Sequence, residues 1–253
     1  MASTNPAKPL FREDGKRLSG RSATDLREIK MEAGTLKKAR GSAMVEWGRN
    51  KVVAGVYGPR EVFPKFLSNP YRAIINAKYA MAPFCSLEEH GRAGPNRRSI
   101  EISKVIKHVF ENNVVVEEFP KTKIDITMEI IQSDGGTRVS AIAAASLALI
   151  DAGIPVRDIV TPISVGKIAG QLVVDLDKDE DNYGESDMPM AFSHRTGELL
   201  LWQMDGMLTH AELKQALSMG LEATRKVRAI QEAALKTAFE NAAEACEEEG
   251  DSQ

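Results

Sequence analysis

The sequence predicts an α+β fold, with strands grouped ahead of helices, on three observations. A Gly-Arg-Asn turn at residues 48–50 separates two apolar runs, 43–47 and 51–57, which is typical of a β-hairpin. Apolar residues recur three and four positions apart over residues 99–112, which is a helical period. Residues 123–132 alternate apolar and polar side chains, as a half-buried strand does. A strict alternation of strands and helices would instead favour a doubly wound parallel sheet.

The other elements of the first half follow from local signals. Residues 1–30 are polar, basic and interrupted by proline and glycine, so we expect an extended arm there and not a packed element. Residues 58–70 contain three prolines and predict a loop, and residues 74–81 predict a strand. Ser99 is the expected N-cap of the first helix. Residues 138–152 predict a second helix, rich enough in alanine to pack closely on its neighbours.

The segment Gly153-Ile154-Pro155 ends the second helix and divides the chain into two predicted halves, 1–153 and 154–253. Two hairpin-like pairs follow, at residues 163–175 and 189–203.

An acidic loop, residues 177–187, is expected between these two pairs. Thr209 is the expected cap of a long C-terminal helix, and the acidic tail after Ala245 is expected to fray.

Composition narrows the class of protein. The chain has 253 residues, of which 43% are hydrophobic, and this excludes a wholly disordered protein. The formal net charge of −3 by itself argues mildly against a dedicated nucleic-acid binder, but residues 1–41 hold ten Lys or Arg against five acidic residues, so the charge is segregated. The two cysteines form no metal or disulfide spacing, and no signal peptide or membrane span is evident. We therefore expect a cytoplasmic protein without a membrane partner.

Three loops carry residues that could bind or act on a ligand. The first, residues 90–98, contains Arg92, Arg97 and Arg98 immediately before a helix. Cations at a helix N-terminus oppose its dipole unless an anion lies among them, and arginine binds phosphate oxygens in a bidentate manner. The alternative interpretation is a solvated basic loop.

The second loop, Ser133 to Arg138, joins a strand to a helix. Its two glycines allow close approach of the backbone to a ligand, and the free amides of the helix start attract anions. Thr137 adds a hydroxyl donor and Arg138 a positive charge. The spacing is not that of a P-loop, and an ordinary glycine-rich turn is the alternative.

The third loop, residues 175–187, holds seven carboxylates in thirteen residues. Asp181 and Asp187 flank Gly184, so a turn would bring both to one place. A carboxyl group there would act as a general acid or help to hold Mg²⁺. The pattern of a calcium-binding EF-hand is absent, and an exposed acidic loop is the alternative.

Several segments in order resemble the RNase PH family of phosphate-dependent exoribonucleases, and more narrowly the catalytic phosphorolytic ring subunits of archaeal exosomes. The segments are Arg12-Glu13-Asp14-Gly15-Lys16-Arg17 with Arg27, Gly41-Ser42-Ala43, Asn96-Arg97-Arg98-Ser99 with Glu101-Ile102, Asp134-Gly135-Gly136-Thr137-Arg138, and Glu180-Asp181-Asn182-Tyr183-Gly184-Glu185-Ser186-Asp187. The resemblance implies two tandem βαβα-type halves like the second domain of ribosomal protein S5.

The resemblance also implies a 3′-to-5′ exoribonuclease that uses inorganic phosphate as co-substrate and runs backwards to add untemplated RNA tails. It implies a hexameric ring of three heterodimers with an inactive paralogue, RNA-binding cap proteins and single-stranded RNA as substrate. The alternatives are a homohexamer that trims tRNA 3′ ends, as in bacteria, and a non-catalytic ring subunit.

Residue roles carried over by the resemblance are expectations for this chain. Gly136, Thr137 and Arg138 would hold phosphate, and Asp181 would act as general acid. Asp187 would support Asp181, or the two would hold Mg²⁺ or Mn²⁺.

The same resemblance assigns RNA contacts to basic residues. Arg97 and Arg98 would clamp the RNA 3′ end, and Lys65 would line the channel constriction. Arg60 and Arg92 would lie along the RNA path.

Overall fold

The computed structural model describes residues 10–12, 15–86 and 96–250, and within them ten strands and four helices form two sheets with their helices. In the first half these are β1 Ile29–Ala33, β2 Gly41–Trp47, β3 Asn50–Glu61, β4 Ile74–Met81, α1 Arg97–Asn113, β5 Thr122–Gln132 and α2 Thr137–Asp151. In the second half they are β6 Val160–Ile168, β7 Gln171–Val174, α3 Lys178–Tyr183, β8 Ser186–Ser193, β9 Leu199–Trp202, β10 Asp205–Gly206 and α4 His210–Gly250.

The two sheets confirm the predicted α+β class. The first sheet has the order β1-β2-β3-β5-β4, and only its β4 and β5 pair is parallel. The second sheet has the order β10-β8-β6-β7, with β9 on β8, and all its pairs are antiparallel. The predicted hairpin before residue 58 and both later hairpin-like pairs are present.

Helix α2 lies between the sheets, in contact with β2, β3 and β5 on one side and with β6 on the other. Twelve of its fifteen residues are buried. Small side chains permit this burial, since a Cβ added to Gly41 of β2 would lie 2.4 Å from the carbonyl oxygen of Ala148. The predicted close packing of this helix is confirmed, and it fixes the helix start against both halves.

The first helix begins earlier than predicted, because Asn96 and not Ser99 is its N-cap. The Ser99 amide donates to Asn96 Oδ1 at 2.7 Å, and the Asn96 amide donates to Ser99 Oγ at 2.9 Å. This reciprocal capping box satisfies two backbone donors at once. Arg97 and Arg98 are therefore the first two residues of α1.

The described part of the N-terminal segment, residues 10–12 and 15–30, contacts the second half of the chain, contrary to the prediction of an extended arm without packing. Leu10 is buried with Ile168, Val173 and Leu176 of the second half, and the side chain of Arg17 is fully buried. Long-range ion pairing, which local sequence patterns do not reveal, accounts for this packing. The predicted loop 58–70 is likewise partly regular, since β3 continues to Glu61 and a 3₁₀ turn covers Lys65–Leu67.

Two predictions near the acidic segments are also corrected. Residues 177–187 include helix α3, which Asp177 caps through its side chain, and α4 continues through the tail to Gly250. Thr209 is confirmed as a cap, since its amide donates to Glu212 Oε2 at 2.8 Å and its Oγ1 accepts from the Glu212 amide at 3.3 Å. Among the described residues, no helix has the length and apolarity that crossing a membrane requires.

Candidate active site

The phosphate loop, defined here as Asp134–Arg138, turns sharply between β5 and α2. Gly135 and Gly136 have φ angles of 73° and 67°, in the left-handed region that favours glycine. A Cβ on Gly135 would lie 2.5 Å from the carbonyl carbon of Asp177, so the loop lies directly against the start of α3. Gly136 caps α2 without a side-chain hydrogen bond, which leaves the first amides of α2 available to an anion.

The first two side chains of α2 face other polar groups. Arg138 Nη2 lies 3.6 Å from Glu101 Oε1 of α1, and Arg138 Nε is buried without a hydrogen-bond partner in the described part of the chain. Thr137 Oγ1 accepts a hydrogen bond of 2.9 Å from the hydroxyl of Tyr79 on β4. The loop thus presents a cation and a hydroxyl that both have unused donor capacity.

The acidic side of the site comes from the second half of the chain. Asp181 lies on α3 and is exposed, and Asp187 lies one residue into β8 and is half-buried. Asp205 of β10 is the antiparallel partner of Asp187 in the sheet. Three carboxylates are therefore near neighbours.

Electrostatics show that these groups share one environment. Burial, followed by the charge of Asp181, raises the pKa of Asp187 to about 7. Although Asp181 is exposed overall, the protein around its carboxyl group displaces part of the water and raises its pKa, while the positive charges of Arg98 and Arg138 oppose that rise. The pair of carboxyl groups therefore retains a proton near neutral pH, as a general acid requires.

A pocket of about 230 Å³ lies where the two halves meet. The first half contributes Glu101 and Arg138 to its walls, and the second contributes Asp187, Pro189, Gln203, Met204 and Asp205. The sequence analysis gave no role to Glu101, Gln203 or Asp205. Gln203 and Asp205 belong to no motif, and only the pairing of β10 with β8 brings Asp205 to the site.

A buried ion pair joins the phosphate loop to the acidic segment. Arg27 Nη2 donates to Asp175 Oδ1 at 2.7 Å, and Arg27 Nη1 donates to the carbonyl oxygen of Asp134 at 2.7 Å. Burial would raise the pKa of Asp175, but Arg27 and the Trp47 indole outweigh it and lower that pKa. Arg27 thus contacts both sides of the site through one guanidinium.

A second buried pair holds α3 in place. Arg17 Nε donates to Glu180 Oε1 at 2.6 Å, and Arg17 Nη1 donates to the carbonyl oxygen of Val174 at 2.7 Å. Glu180 precedes Asp181 in α3, so this pair fixes the position of the candidate general acid.

Arg97 and Arg98 are exposed in the first turn of α1. Neither forms an ion pair with a residue that the structure describes. The charge of Arg98 opposes the rise that burial gives the pKa values of Asp181 and Tyr79, so Arg98 acts electrostatically on both groups. Arg92 lies outside the described residues.

Two family models match the chain: the 3′ exoribonuclease family, domain 1, at residues 25–155, and domain 2 of the same family at residues 158–223. The chain belongs to the RNase PH family of 3′ exoribonucleases. This confirms the resemblance on which the expected fold and enzyme class were based.

Relatives within the RNase PH family match along nearly the whole chain. Exosome complex component Rrp41 of Pyrococcus abyssi is 52% identical over 230 residues, which is 91% of this chain and 92% of the relative. The protein of the same name from Thermoplasma volcanium is 49% identical over 236 residues, or 93% of this chain and 95% of the relative.

Solved structures support the RNase PH fold. Rice (Oryza sativa) Rrp46 superposes with a TM-score of 0.78 at 23% identity, covering 87% of this chain and 100% of the other. A chain from the Archaeoglobus fulgidus exosome with RNA bound to the active site gives a TM-score of 0.74 at 23% identity, covering 85% and 92%.

Arg60 and Lys65 lie outside the candidate active site of this chain. Arg60 Nε donates to Asp125 Oδ2 at 3.0 Å near the start of β5, and Lys65 lies in the 3₁₀ turn beyond β3. The phosphate loop follows the other end of β5. Since a strand rises about 3.3 Å per residue, the two ends are roughly 30 Å apart.

The resemblance to the RNase PH family implies a bound metal ion. The residues present supply part of the oxygen ligands that such an ion needs. Among the described residues, no group of three or more histidine, cysteine or carboxylate side chains is arranged to hold a metal ion. Asp181 and Asp187 alone would suit Mg²⁺, which is commonly held by one or two carboxylates together with waters and substrate phosphates.

Proposed function

We propose that this member of the 3′ exoribonuclease family is the catalytic ring subunit of an exosome, and that it degrades single-stranded RNA from the 3′ end to nucleoside diphosphates. The observation that carries the proposal is the arrangement of one pocket between two halves. Arg138 of the phosphate loop lines the pocket from the first half, and Asp187 lines it from the second and, together with Asp181, keeps a proton near neutral pH.

Inorganic phosphate binds at the phosphate loop in this proposal. The first amides of α2, the Thr137 hydroxyl and the Arg138 guanidinium donate to its oxygens. Two anions must approach each other when phosphate attacks an RNA phosphodiester, and Arg138 and Arg98 offset their repulsion. Stabilising the added charge of the transition state is the main part of catalysis in phosphoryl transfer.

Asp181 donates the proton that the departing 3′ oxygen takes up, and the proton that the attacking hydrogen phosphate loses restores the acid. A bond forms between a phosphate oxygen and the terminal phosphorus, the bond from that phosphorus to the 3′ oxygen breaks, and the 3′ oxygen takes up the proton. We assign this step to Asp181 because it is the more exposed of the two carboxyl groups, whereas Asp187 lines the pocket and its pKa is raised by the charge of Asp181. Mg²⁺ or Mn²⁺, when bound by these two carboxylates, would neutralise charge on the reacting phosphates.

The RNA is held mainly through its backbone. Arg97 and Arg98 clamp phosphates of the 3′ end, and Lys65, Arg60 and Arg92 contact RNA farther along its path. Binding through phosphates gives weak base preference and a strong dependence on salt. Excess nucleoside diphosphate reverses the reaction and adds untemplated tails.

The assembled form in this proposal is a cytoplasmic ring of three heterodimers with an inactive paralogue, closed on one face by RNA-binding cap proteins. Halves 1–153 and 154–253 act together in each subunit, because each supplies one side of the pocket. Retention of Arg98, Arg138 and Asp181 together disfavours a non-catalytic ring subunit.

The deciding experiment supplies end-labelled RNA and phosphate to the chain, with and without the paralogue, and identifies the products. Nucleoside diphosphates are expected only when phosphate and the paralogue are present. Release of monophosphates without phosphate would overturn the phosphorolytic mechanism. Gel filtration adds a second readout, since an active hexamer of this chain alone would favour the tRNA-trimming alternative.

A further inference from the structure

Tyr79 is a buried residue of β4 beside the phosphate loop, and the sequence analysis gave it no role. Its side chain is only 2% exposed. Its hydroxyl forms one hydrogen bond within the described part of the chain, to Thr137 Oγ1 at 2.9 Å. Burial raises the pKa of Tyr79, so the phenol stays protonated and remains a donor.

The hydrogen bonds of Thr137 are incomplete without a ligand. A threonine hydroxyl has one hydrogen to donate and two lone pairs that accept. The bond from Tyr79 occupies a lone pair, and among the described residues no protein acceptor receives the hydrogen of Thr137. Because Thr137 is only 4% exposed, leaving that hydrogen without an acceptor is costly.

The nearby charges indicate what kind of acceptor completes the bond. The positive charges of Arg98 and Arg138 oppose the rise that burial gives the pKa of Tyr79, so the phenol lies in a positive field to which both guanidiniums contribute. Arg138 Nε is itself buried and without a partner among the described residues. An oxyanion among these groups would accept from both Thr137 and Arg138.

We propose that Tyr79 is a positioning residue for inorganic phosphate, which acts by holding the Thr137 hydroxyl as a donor toward a phosphate oxygen. The hydrogen bonds run in one direction, from the Tyr79 hydroxyl to Thr137 Oγ1 and from the Thr137 hydroxyl to the phosphate. This inference rests on the proposed function and names a residue that sets the affinity of its phosphate subsite.

The test compares Tyr79→Phe with the unsubstituted protein in the assembled ring. Removal of one oxygen frees the Thr137 hydroxyl to turn away from phosphate, so KM for phosphate should rise about fivefold to tenfold, as for loss of one hydrogen bond. KM for RNA and kcat should change less than twofold. The matched control is Tyr57→Phe, which removes a hydroxyl from the half-exposed Tyr57 on β3 of the same sheet.

A second variant keeps the test valid if Tyr79→Phe folds poorly. Thr137→Val removes the same link from its other end, and the double variant should be no worse than Thr137→Val alone. An unchanged KM for phosphate in Tyr79→Phe would overturn the proposal, even if thermal stability fell. Additive effects in the double variant would do the same. Failure of the proposed function is separate, since the unsubstituted enzyme would then show no dependence on phosphate.

Discussion

Substitution of Asp181 and substitution of Asp187 test different properties of the site. Asp181 is exposed on a short helix, so its removal leaves the packing around it intact. Asp187 is half-buried with a strongly raised pKa, so its ionisation affects folding as well as chemistry. Substitution of Asp181 therefore tests its role in catalysis, and substitution of Asp187 tests how much its ionisation destabilises the folded protein.

Replacement of Asp181 by Ala should abolish turnover, by 100-fold or more on the usual scale of general acid catalysis, because no proton reaches the departing 3′ oxygen. RNA binding should remain within about twofold, since loss of a negative charge does not weaken contacts to phosphate. Single-turnover assays and filter binding measure the two effects. Asp179→Ala on the same helix is the control, and near-normal turnover in Asp181→Ala would remove the general-acid assignment.

Replacement of Asp187 by Asn should stabilise the protein at high pH only. The folded-state pKa of Asp187 is raised to about 7, above its ordinary value, so ionisation opposes folding. That cost is absent below about pH 4, grows through the range up to 7 and is complete above it. The Tm values of Asp187→Asn and the unsubstituted protein should therefore be equal at pH 4. At pH 8 the Tm of Asp187→Asn should be higher by about 3 °C or more. A constant difference at both pH values would contradict the raised pKa.

At the scale of elements, the segment before β1, which contains Arg17 and Arg27, joins the two sides of the site. Arg27 contacts Asp175 at the end of β7 and the Asp134 carbonyl in the phosphate loop, and Arg17 holds α3 through Glu180. The positions of α2 and α3 relative to each other thus depend on a segment without regular structure. A change there should act on catalysis without touching substrate.

Arg27→Lys should lower kcat about tenfold or more, because an ammonium does not reproduce the planar fork that serves Asp175 and the loop carbonyl together. Arg228→Lys is the matched control. Arg228 also pairs with a buried carboxylate, Asp158, at 2.9 Å, in a part of the second half away from the pocket. Both variants should lose thermal stability, but only Arg27→Lys should lose kcat. Equal kcat values in the two variants would show that the Arg27 link is only structural.

How much of the fold and the site can be predicted from sequence depends on how far apart in the chain the interacting residues lie. Strand alternation and helical period are local, so β2, β5 and α2 are predicted to within two residues, whereas β3 extends four residues beyond its predicted end at residue 57. Asn96 and Ser99 compete as caps, and only the reciprocal bonds decide between them. Arg17 meets Glu180 across 163 positions, and Asp205 meets Asp187 through sheet pairing, so neither contact leaves a local signal.

For the whole molecule, the guanidinium groups of the site come from the first half and most of its carboxylates come from the second. Arg98 and Arg138 come from the first half, and Asp181, Asp187 and Asp205 come from the second, so the net charge of −3 conceals a site of both signs. The basic residues Arg60 and Lys65 lie roughly 30 Å from the phosphate loop, at the far end of β5. RNA long enough to reach both places would be held at two points.

Lys65→Ala should therefore weaken the assembled ring's binding to long RNA and leave short oligonucleotides unaffected. Under the proposed function, a short substrate would contact only the pocket with Arg97 and Arg98, whereas a long one would also gain the phosphate contact at Lys65 and release its counterion. Titrations over a range of salt should show the slope of log affinity falling by about 0.7 for the long RNA alone. Lys30→Ala, which removes an exposed lysine from β1, is the control. Equal weakening for both RNA lengths would contradict a contact between Lys65 and RNA outside the pocket.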